Sequence, residues 1–160
     1  MGVDACVFDT RVGRCALRWS EHGITELHLP PTRVVPSGRE APAEIRAVIA
    51  AVRSLLEGEP VDLSSVRLDL RAVSEFERQV YDAARVIPPG ATTTYGALAT
   101  RIGHPGGARA VGRALGRNPV PLIVPCHRVL AADGKLGGFS APGGVALKAR
   151  LLALEGATVL

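Results

Sequence analysis

The chain lacks the features that would place it in a membrane or in an oxidising compartment. None of its 160 residues belongs to an uninterrupted apolar run of about 18 residues, so no segment is predicted to cross a membrane. The N-terminus has no basic segment followed by an apolar one, as a secretion signal would have. The three cysteines, Cys6, Cys15 and Cys126, are an odd number without regular spacing. We therefore expect no disulfide framework and a cytoplasmic protein.

A metal site is not expected either. Cys6, Cys15, His22 and His28 could be combined as ligands, but their spacing matches no usual zinc pattern. Cys15 alternates with Leu17, as a strand residue that faces the core does. We predict that these residues are structural and that the chain binds no metal.

Basic charge is concentrated in the second half of the chain. Residues 1–72 contain nine Lys and Arg and ten Asp and Glu, a net charge of −1, whereas residues 73–160 contain ten and five, a net charge of +5. A basic half predicts a polyanionic partner such as nucleic acid. An arginine-rich face that is only solvated is the alternative.

The first half has the pattern of a small α/β unit. Alternating apolar and polar residues over 3–8, 14–20 and 24–29 predict three strands. Apolar residues at helical spacing predict a helix over 42–58. Alternation over 66–70 predicts one more strand, which would complete the unit.

The second half is predicted to be mostly helical. Ser74 and Glu77 form a capping box at the start of a helix that ends before Pro88. Short helices over 95–102 and 108–115, joined by a glycine-containing turn, have the outline of a helix-turn-helix.

The last part of the chain combines a predicted turn with a further helix. Asp133-Gly134 predicts a hairpin between residues 129–130 and 135–136. Helical spacing over 145–155 predicts a helix that ends at Glu155. An acidic residue at a helix C-terminus opposes the helix dipole, so Glu155 is either exposed or has a specific partner.

Three arginines stand four residues apart along the second helix of the pair. Arg109, Arg113 and Arg117 would form one stripe, and most of the residues between them are small. Small residues let a helix approach another surface closely, and a DNA groove is one candidate for that surface. A solvated charged face on a helix packed through its alanines is the alternative.

The most distinctive segment is Asn118-Pro-Val-Pro-Leu-Ile-Val-Pro-Cys126-His127-Arg128-Val129. Its three prolines rule out a regular helix and predict an extended, buried segment that ends at a thiol. An imidazole and a guanidinium beside this thiol favour the thiolate. A buried cysteine that only fills the core is the alternative.

This segment closely resembles the active-site signature of the O6-alkylguanine-DNA alkyltransferases. The resemblance extends from residue 76 to residue 156, and the motifs follow the family's order, with matching positions at Tyr95, Arg109, Asn118, Cys126, Ser140 and Glu155. With this family we predict an α+β fold. A small N-terminal α/β domain of ribonuclease H-like outline (residues 1–72) would precede a mostly helical domain with the helix-turn-helix (residues 73–160).

The resemblance implies direct-reversal DNA repair. The protein would bind the minor groove of double-stranded DNA carrying O6-alkylguanine, as a monomer, and flip the lesion out. It would then act as a methylated-DNA–protein-cysteine methyltransferase and move the alkyl group to Cys126. No cofactor would be needed. Each molecule would react once, because a thioether is a poor leaving group.

The resemblance also implies catalytic roles. His127 would draw the proton from Cys126, and Glu155 would orient the imidazole. Tyr95 would donate a hydrogen bond to the guanine as negative charge develops on it. Asn118 would hold the recognition helix against the cysteine segment. Arg128 is expected to be structural.

Other matching residues are implied in contacts with DNA and with the flipped base. Arg109 would fill the space that the base leaves. The full set of implied DNA contacts is Arg109, Arg113, Arg117, Tyr95 and Thr94. The substrate pocket would contain Val129, Phe139 and Ser140, with the Ser140 backbone N–H as a second donor to guanine. The chain departs from the family pattern in having Phe139 where many members have tyrosine, and in a loop lengthened by Ala141-Pro142.

Two other functions fit parts of this pattern. A non-enzymatic DNA-lesion binder or regulator would use the helix-turn-helix without transfer, although alkyltransferase-like proteins of this kind lack the cysteine that this chain has. A cysteine hydrolase built on Cys126 and His127 is disfavoured, because adjacent residues in an extended segment point apart. A nucleophile and its base must instead converge on one proton, unless a water or a turn intervenes.

Overall fold

A three-stranded antiparallel sheet opens the chain in the computed structural model, which describes residues 2–139 and 141–157. The strands are β1 (Asp4–Thr10), β2 (Gly13–Ser20) and β3 (Gly23–His28), with β2 in the centre. Helix α1 (Ala43–Leu56) follows and buries one apolar face in the same core as β2. The three predicted strands and this helix are therefore confirmed, because alternation and helical spacing each require one buried face.

The strand predicted over 66–70 is wrong. Only an isolated parallel bridge joins Ile24 to Leu68, with Ile24 N donating to Arg67 O (3.0 Å) and Asp69 N donating to Ile24 O (2.8 Å). The Asp69 carboxylate then accepts from the backbone N–H of Arg71, which turns the chain away after these two bonds. Gly23 permits the close approach, since a Cβ there would lie 2.7 Å from Arg67 O.

Three helices and the connection between them form the next layer. Helix α2 (Glu75–Arg85) begins with the predicted capping box, in which Glu77 N donates to Ser74 Oγ (3.1 Å) and Ser74 N donates to Glu77 Oε1 (2.9 Å). Helices α3 (Tyr95–Arg101) and α4 (Ala108–Gly116) pack against each other and against α2. The helix-turn-helix outline is confirmed.

The cysteine segment is buried as predicted, but it is not extended. Its backbone reverses through a turn at Leu122, which has a φ of 72°, and residues Cys126–Arg128 form one turn of 3-10 helix. Three prolines do exclude a regular α-helix, yet a turn and a 3-10 turn satisfy the same restriction on φ. This turn removes the premise on which a cysteine hydrolase was disfavoured.

The predicted hairpin around Asp133-Gly134 is also wrong. Strand β5 (Val129–Leu130) pairs in parallel with β4 (Thr93–Thr94), and residues 131–135 form a local turn that Ala131 N closes by donating to Lys135 O (3.0 Å). Val129 and Leu130 are buried, so they pair inside the core and not at an exposed hairpin. Helix α5 (Gly144–Leu154) is the last element of the described residues and lies close to its predicted bounds.

The two predicted domains share one core. Buried residues from β1 to α5 belong to a single apolar cluster, and Leu27 N of β3 donates to Pro119 O of the cysteine segment (2.9 Å). The boundary at residue 72 stays a prediction. Within residues 2–139 and 141–157, no helix is long and apolar enough to span a bilayer, and no three His, Cys, Asp or Glu side chains are grouped as a metal ion needs.

Candidate active site

A buried charged cluster lies directly after Cys126. His127 Nε2 is 3.0 Å from Glu155 Oε2, and Arg128 donates to both oxygens of the same carboxylate, from Nε to Oε1 (2.9 Å) and from Nη2 to Oε2 (2.6 Å). Arg128 Nη1 also donates to the Ile87 carbonyl (2.7 Å). The 3-10 turn presents His127 and Arg128, and the end of α5 presents Glu155. Glu155 therefore has the specific partner that its position allowed.

Burial and ion pairing set the protonation of this cluster. Burial raises the pKa of Glu155, but hydrogen bonds from Arg128 and His127 outweigh it and bring the pKa down to about 2. Burial lowers the pKa of His127 and outweighs the opposing effect of Glu155. His127 Nδ1 is buried and has no hydrogen-bond partner among the described residues. The cluster therefore offers a neutral imidazole, fixed by an ionised carboxylate, with one nitrogen free to take a proton.

The Cys126 thiol is not in surroundings that favour the thiolate, contrary to the sequence-based prediction. Burial raises its pKa, although a hydrogen bond from Asn118 and the charge of Lys148 act in the opposite direction. The guanidinium of Arg128 is occupied by Glu155, and the imidazole of His127 is neutral, so neither supplies the expected positive charge. At rest this cysteine is a protonated thiol.

Asn118 joins helix α4 to the cysteine segment. Its Nδ2 donates to Val124 O (2.8 Å) and its Oδ1 accepts from Val120 N (3.0 Å), so the side chain closes the turn that precedes Cys126. The backbone N–H of Asn118 donates to Leu115 O (3.1 Å) at the end of α4, and its role as a hinge stays a prediction.

Lys148 is a site residue that the sequence did not reveal. Its side chain is fully buried on α5, and its Nζ donates to Val129 O (2.8 Å) and Gly138 O (3.1 Å) and lies 3.5 Å from Tyr95 Oη. Burial lowers the pKa of this ammonium to about 8. The available signal was a lysine on the apolar face that Leu151 and Leu152 also occupy, where a charge is unexpected.

Two cavities meet at Cys126. The Tyr95 cavity, of about 450 Å³, is lined by Tyr95, Gly112, Leu115, Gly116, Cys126, Gly138 and Phe139. The β3 cavity, of about 250 Å³, shares Gly116, Cys126 and Phe139 with it and extends to Glu26 and His28. The Val129 side chain is fully buried and lines neither cavity, whereas its carbonyl accepts from Lys148 Nζ (2.8 Å), so a contact between this carbonyl and the substrate stays a prediction. Ser140 lies outside the described residues.

The predicted DNA contacts lie on or beside the helix-turn-helix. Arg109 and Arg113 are exposed on α4, while Arg117 follows the helix, 3.9 Å from Glu77 Oε2. Thr94 is half-buried, and its hydroxyl accepts from Ala97 N (3.1 Å) to cap α3. The exposed arginines flank Gly112 and Gly116, which line the Tyr95 cavity. A basic surface and the cavity beside Cys126 therefore share one helix.

Comparison with known proteins identifies the family. A family model described as the DNA binding domain of 6-O-methylguanine DNA methyltransferase matches residues 75–157. The methylated-DNA–protein-cysteine methyltransferase of Mycolicibacterium paratuberculosis is 42% identical over 150 residues, covering 92% of this chain and 88% of that protein. The chain belongs to the methylated-DNA–protein-cysteine methyltransferase family. The member from Methanothermobacter thermautotrophicus is 38% identical over 142 residues, covering 88% of this chain and 78% of that protein.

Solved structures of this methyltransferase family confirm the predicted α+β fold. The crystal structure of Mycobacterium tuberculosis OGT in complex with DNA has a TM-score of 0.81 and 36% identity, covering 94% of this chain and 91% of that one. The O6-methylguanine-DNA methyltransferase from Pyrococcus kodakaraensis has a TM-score of 0.75 and 28% identity, covering 95% and 99%. The likeness therefore includes the N-terminal sheet, where sequence alone showed only an outline.

Proposed function

We propose that this family member repairs DNA by moving the alkyl group of O6-alkylguanine to Cys126, once per molecule. The observation that carries the proposal is the position of the thiol. Cys126 is 7% exposed, opens to two cavities, and directly precedes a neutral imidazole that an ionised carboxylate holds from the far side. A nucleophile, its base and the group that orients the base are thus assembled in one place.

The protonated resting thiol makes proton transfer part of the reaction. As sulfur approaches the alkyl carbon, the thiol proton moves to His127 Nδ1, directly or through a water, and Glu155 stabilises the imidazolium without taking the proton. The S–C bond forms as the C–O6 bond breaks, and the electron pair stays on the guanine. The proton then neutralises the guanine, so the products are guanine and an S-alkyl thioether.

Tyr95 and Lys148 support the departing guanine. Tyr95 lines the Tyr95 cavity, and burial raises the pKa of its hydroxyl, so the hydroxyl stays protonated and can donate to a developing anion. Lys148 holds this hydroxyl and the Val129 carbonyl from behind. That carbonyl keeps a second lone pair, which can accept from the exocyclic amine of guanine.

Binding to DNA through the helix-turn-helix would deliver the lesion. A cysteine this deeply placed cannot reach a stacked base, so the nucleotide must be flipped out, at a cost of about a few kcal/mol. The Tyr95 cavity, of about 450 Å³, falls within the usual size range of small-molecule pockets. Exposed Arg109 on α4 would fill the vacated stack in the minor groove, and Arg113 and Arg117 would contact phosphates.

A lesion-binding protein without transfer is the second candidate, and the raised pKa of Cys126 is the observation that favours it. Incubation with duplex DNA carrying O6-methylguanine, followed by intact-mass measurement, separates the two. Transfer predicts one added CH₂ on the peptide that contains Cys126. Cys126→Ser should gain no mass, and the control Cys6→Ser should react like the wild type. Tight binding to the lesion with no added mass would support the second candidate and reject the first.

A further inference from the structure

A third cavity adjoins the buried charged cluster and shares no lining residue with the two cavities at Cys126. The Arg85 cavity, of about 430 Å³, is lined by residues 60–64, 85–89 and 122–123 and by Arg128. Among the described residues, none from α4 contributes to it, so it is separate from the basic surface of the helix-turn-helix. Its place in the fold therefore gives it no part in holding DNA or the flipped base.

Most of the wall of the Arg85 cavity is apolar. Leu63, Ile87, Leu122 and Ile123 are buried side chains of this wall. Prolines occupy positions 60, 88 and 89, and proline has no backbone N–H to offer a ligand. Because an apolar cavity of about 150 Å³ in another protein holds benzene, this cavity has room for a small aliphatic group.

Two guanidinium groups supply the polar part of the wall. Arg85 Nη2 donates to two backbone carbonyls of the 63–66 segment, at 3.2 and 2.7 Å, but Arg85 Nε is buried and has no partner among the described residues. Buried polar groups are nearly always paired, so this N–H needs an acceptor. Arg128 uses three of its five N–H groups on Glu155 and on the Ile87 carbonyl, so two remain. The wall therefore has the donors and the positive charge that suit an anion.

An acid in the same wall limits which anion fits. Asp62 is exposed, and its Oδ1 accepts from Ser64 N (2.8 Å). Hydrogen bonds from Ser64 lower the pKa of Asp62, and the charges of Arg128 and Arg85 lower it further, so its carboxylate is ionised. This charge repels a phosphate with two negative charges more strongly than a carboxylate with one. A carboxylate with an aliphatic body matches both the donors and the apolar wall.

We propose that the Arg85 cavity binds a small branched aliphatic carboxylate on Arg85 and Arg128, and that its occupancy speeds alkyl transfer to Cys126. Arg128 is the link, because its guanidinium also holds Glu155 beside His127. Burial lowers the pKa of His127, and the charges of Arg128 and Lys148 lower it further, against the opposing effect of Glu155. An anion beside Arg128 offsets part of that positive charge and makes His127 a stronger base for the thiol proton. The effect on rate rests on the proposed function, whereas the binding does not.

The binding test uses 4-methylpentanoate and, as a neutral control of similar shape, 4-methylpentanamide. Each is titrated into the protein while the backbone amide NMR signals of residues 61–64, 85–87 and 122–123 are followed. The carboxylate should bind with a Kd of about 1 mM, and the amide about tenfold more weakly, because only the carboxylate forms charge-assisted hydrogen bonds.

Two arginines of α2 form a matched pair for this test. Arg85→Met should weaken carboxylate binding about tenfold, because it removes one of the two guanidinium groups. Arg78→Met should bind as the wild type does, since Arg78 Nη2 also donates to a backbone carbonyl, Leu70 O (3.0 Å), but Arg78 does not line the cavity. Asp62→Asn keeps an acceptor for Ser64 N and removes the negative charge, so it should tighten carboxylate binding about two- to threefold.

The effect on transfer is measured with saturating duplex carrying O6-methylguanine at constant ionic strength. Saturating 4-methylpentanoate should raise the single-turnover rate constant of the wild type about two- to fivefold, because His127 becomes a stronger base. The amide should leave the rate constant unchanged, and the carboxylate should have no effect on Arg85→Met at the same concentration.

Each outcome bears on one part of the inference. Equal affinity for the acid and the amide, or unchanged affinity in folded Arg85→Met, would overturn the site. Tighter binding of inorganic phosphate would overturn the preference for a carboxylate. If Arg85→Met does not fold, the amide and Asp62→Asn decide the same question. Binding without a change in rate would overturn the link through Arg128. A protein that transfers no methyl group would reject the proposed function and the effect on rate, and the binding measurements would still decide the site.

Discussion

Two arginine–glutamate pairs with nearly the same geometry lie in opposite environments. In the first half, Arg67 donates to both oxygens of Glu44 at 3.0 and 2.8 Å, and the two side chains are 50% and 51% exposed. In the second half, Arg128 donates to both oxygens of Glu155 at 2.9 and 2.6 Å, with exposures of 6% and 3%. The first pair lies on the surface. The second pair is buried, and its glutamate also contacts the imidazole of His127.

The difference shows that charged groups of this fold are removed from water beside Cys126, where their desolvation costs free energy. An exposed pair adds little to stability, because water and salt screen it. A buried pair often adds no more than apolar residues of the same volume, yet it is costly to break. The buried polar side chain of His127 and the buried charges of Arg128 and Lys148 therefore mark the part of the molecule that is built for chemistry.

Removing the arginine from each pair should give the largest contrast. Arg128→Met leaves Glu155 buried without its main partner, so we expect the free energy of unfolding to fall by about 3–5 kcal/mol. Arg67→Met should change it far less, because Glu44 stays in water. Denaturant titration of both variants measures the difference. Similar losses of unfolding free energy in the two variants would contradict the difference between the buried pair and the exposed pair.

Glu155 should make the stability of the fold depend on pH in acid much more strongly than Glu44 does. Because the folded-state pKa of Glu155 is about 2, below the ordinary value of 4.5, its stabilisation is present above pH 4.5 and is lost as the pH falls toward 2. The loss amounts to about 3 kcal/mol. Glu155→Gln should lack this part of the pH dependence, whereas Glu44→Gln should keep it. Unfolding of the three proteins between pH 2 and 5 tests this, and parallel curves for wild type and Glu155→Gln would refute it.

The two lysines of the chain form a matched pair for the next test. Lys148→Met removes the ammonium that holds Tyr95 and Val129, so the saturating transfer rate should fall by about 10–100-fold with little change in DNA affinity. Lys135→Met, on an exposed turn, should change neither quantity.

The free energy of unfolding of the wild type should also rise with pH between 8 and 10.5, because Lys148 still binds a proton in the unfolded chain over this range but has lost it in the folded chain. This rise should be absent in Lys148→Met.

Exposed arginines should affect only the reaction with DNA. Arg109→Ala should slow transfer from duplex O6-methylguanine by about tenfold, because the flipped-out base loses the side chain that replaces it. Transfer from a single strand of the same sequence, and the free energy of unfolding, should change little. Arg113→Ala, one turn along α4, should weaken both DNA reactions evenly. Equal slowing of duplex and single-strand transfer in Arg109→Ala would remove its role in flipping.

Local patterns predicted much of the fold and part of the site. The strands, α1, the capping box of Ser74 and Glu77, and the pair of short helices follow from periodicity and capping, which depend on neighbours within a few residues. The contact between His127 and Glu155, 28 positions apart, is present at 3.0 Å, as the family resemblance implied. Short-range signals and one specific motif were sufficient for these features.

The errors concern interactions between distant segments. The parallel pairing of Val129 with Thr93 replaced a hairpin because burial of β5 outweighed a local turn signal. The thiolate prediction for Cys126 counted an adjacent guanidinium, but the tertiary fold turns Arg128 toward Glu155 and adds desolvation. Lys148 was missed because only the packing of α5 shows that its charge is enclosed. Apart from the place of Lys148 on an apolar helix face, these outcomes cannot be read from residue spacing.

The backbone bond between Leu27 and Pro119 bears on how relatives of this protein can be recombined. Because β3 lines one side of the cavity beside Cys126, the first 72 residues cannot be exchanged without changing the wall of that cavity. A chimaera that took them from another member should therefore have a different wall beside Cys126.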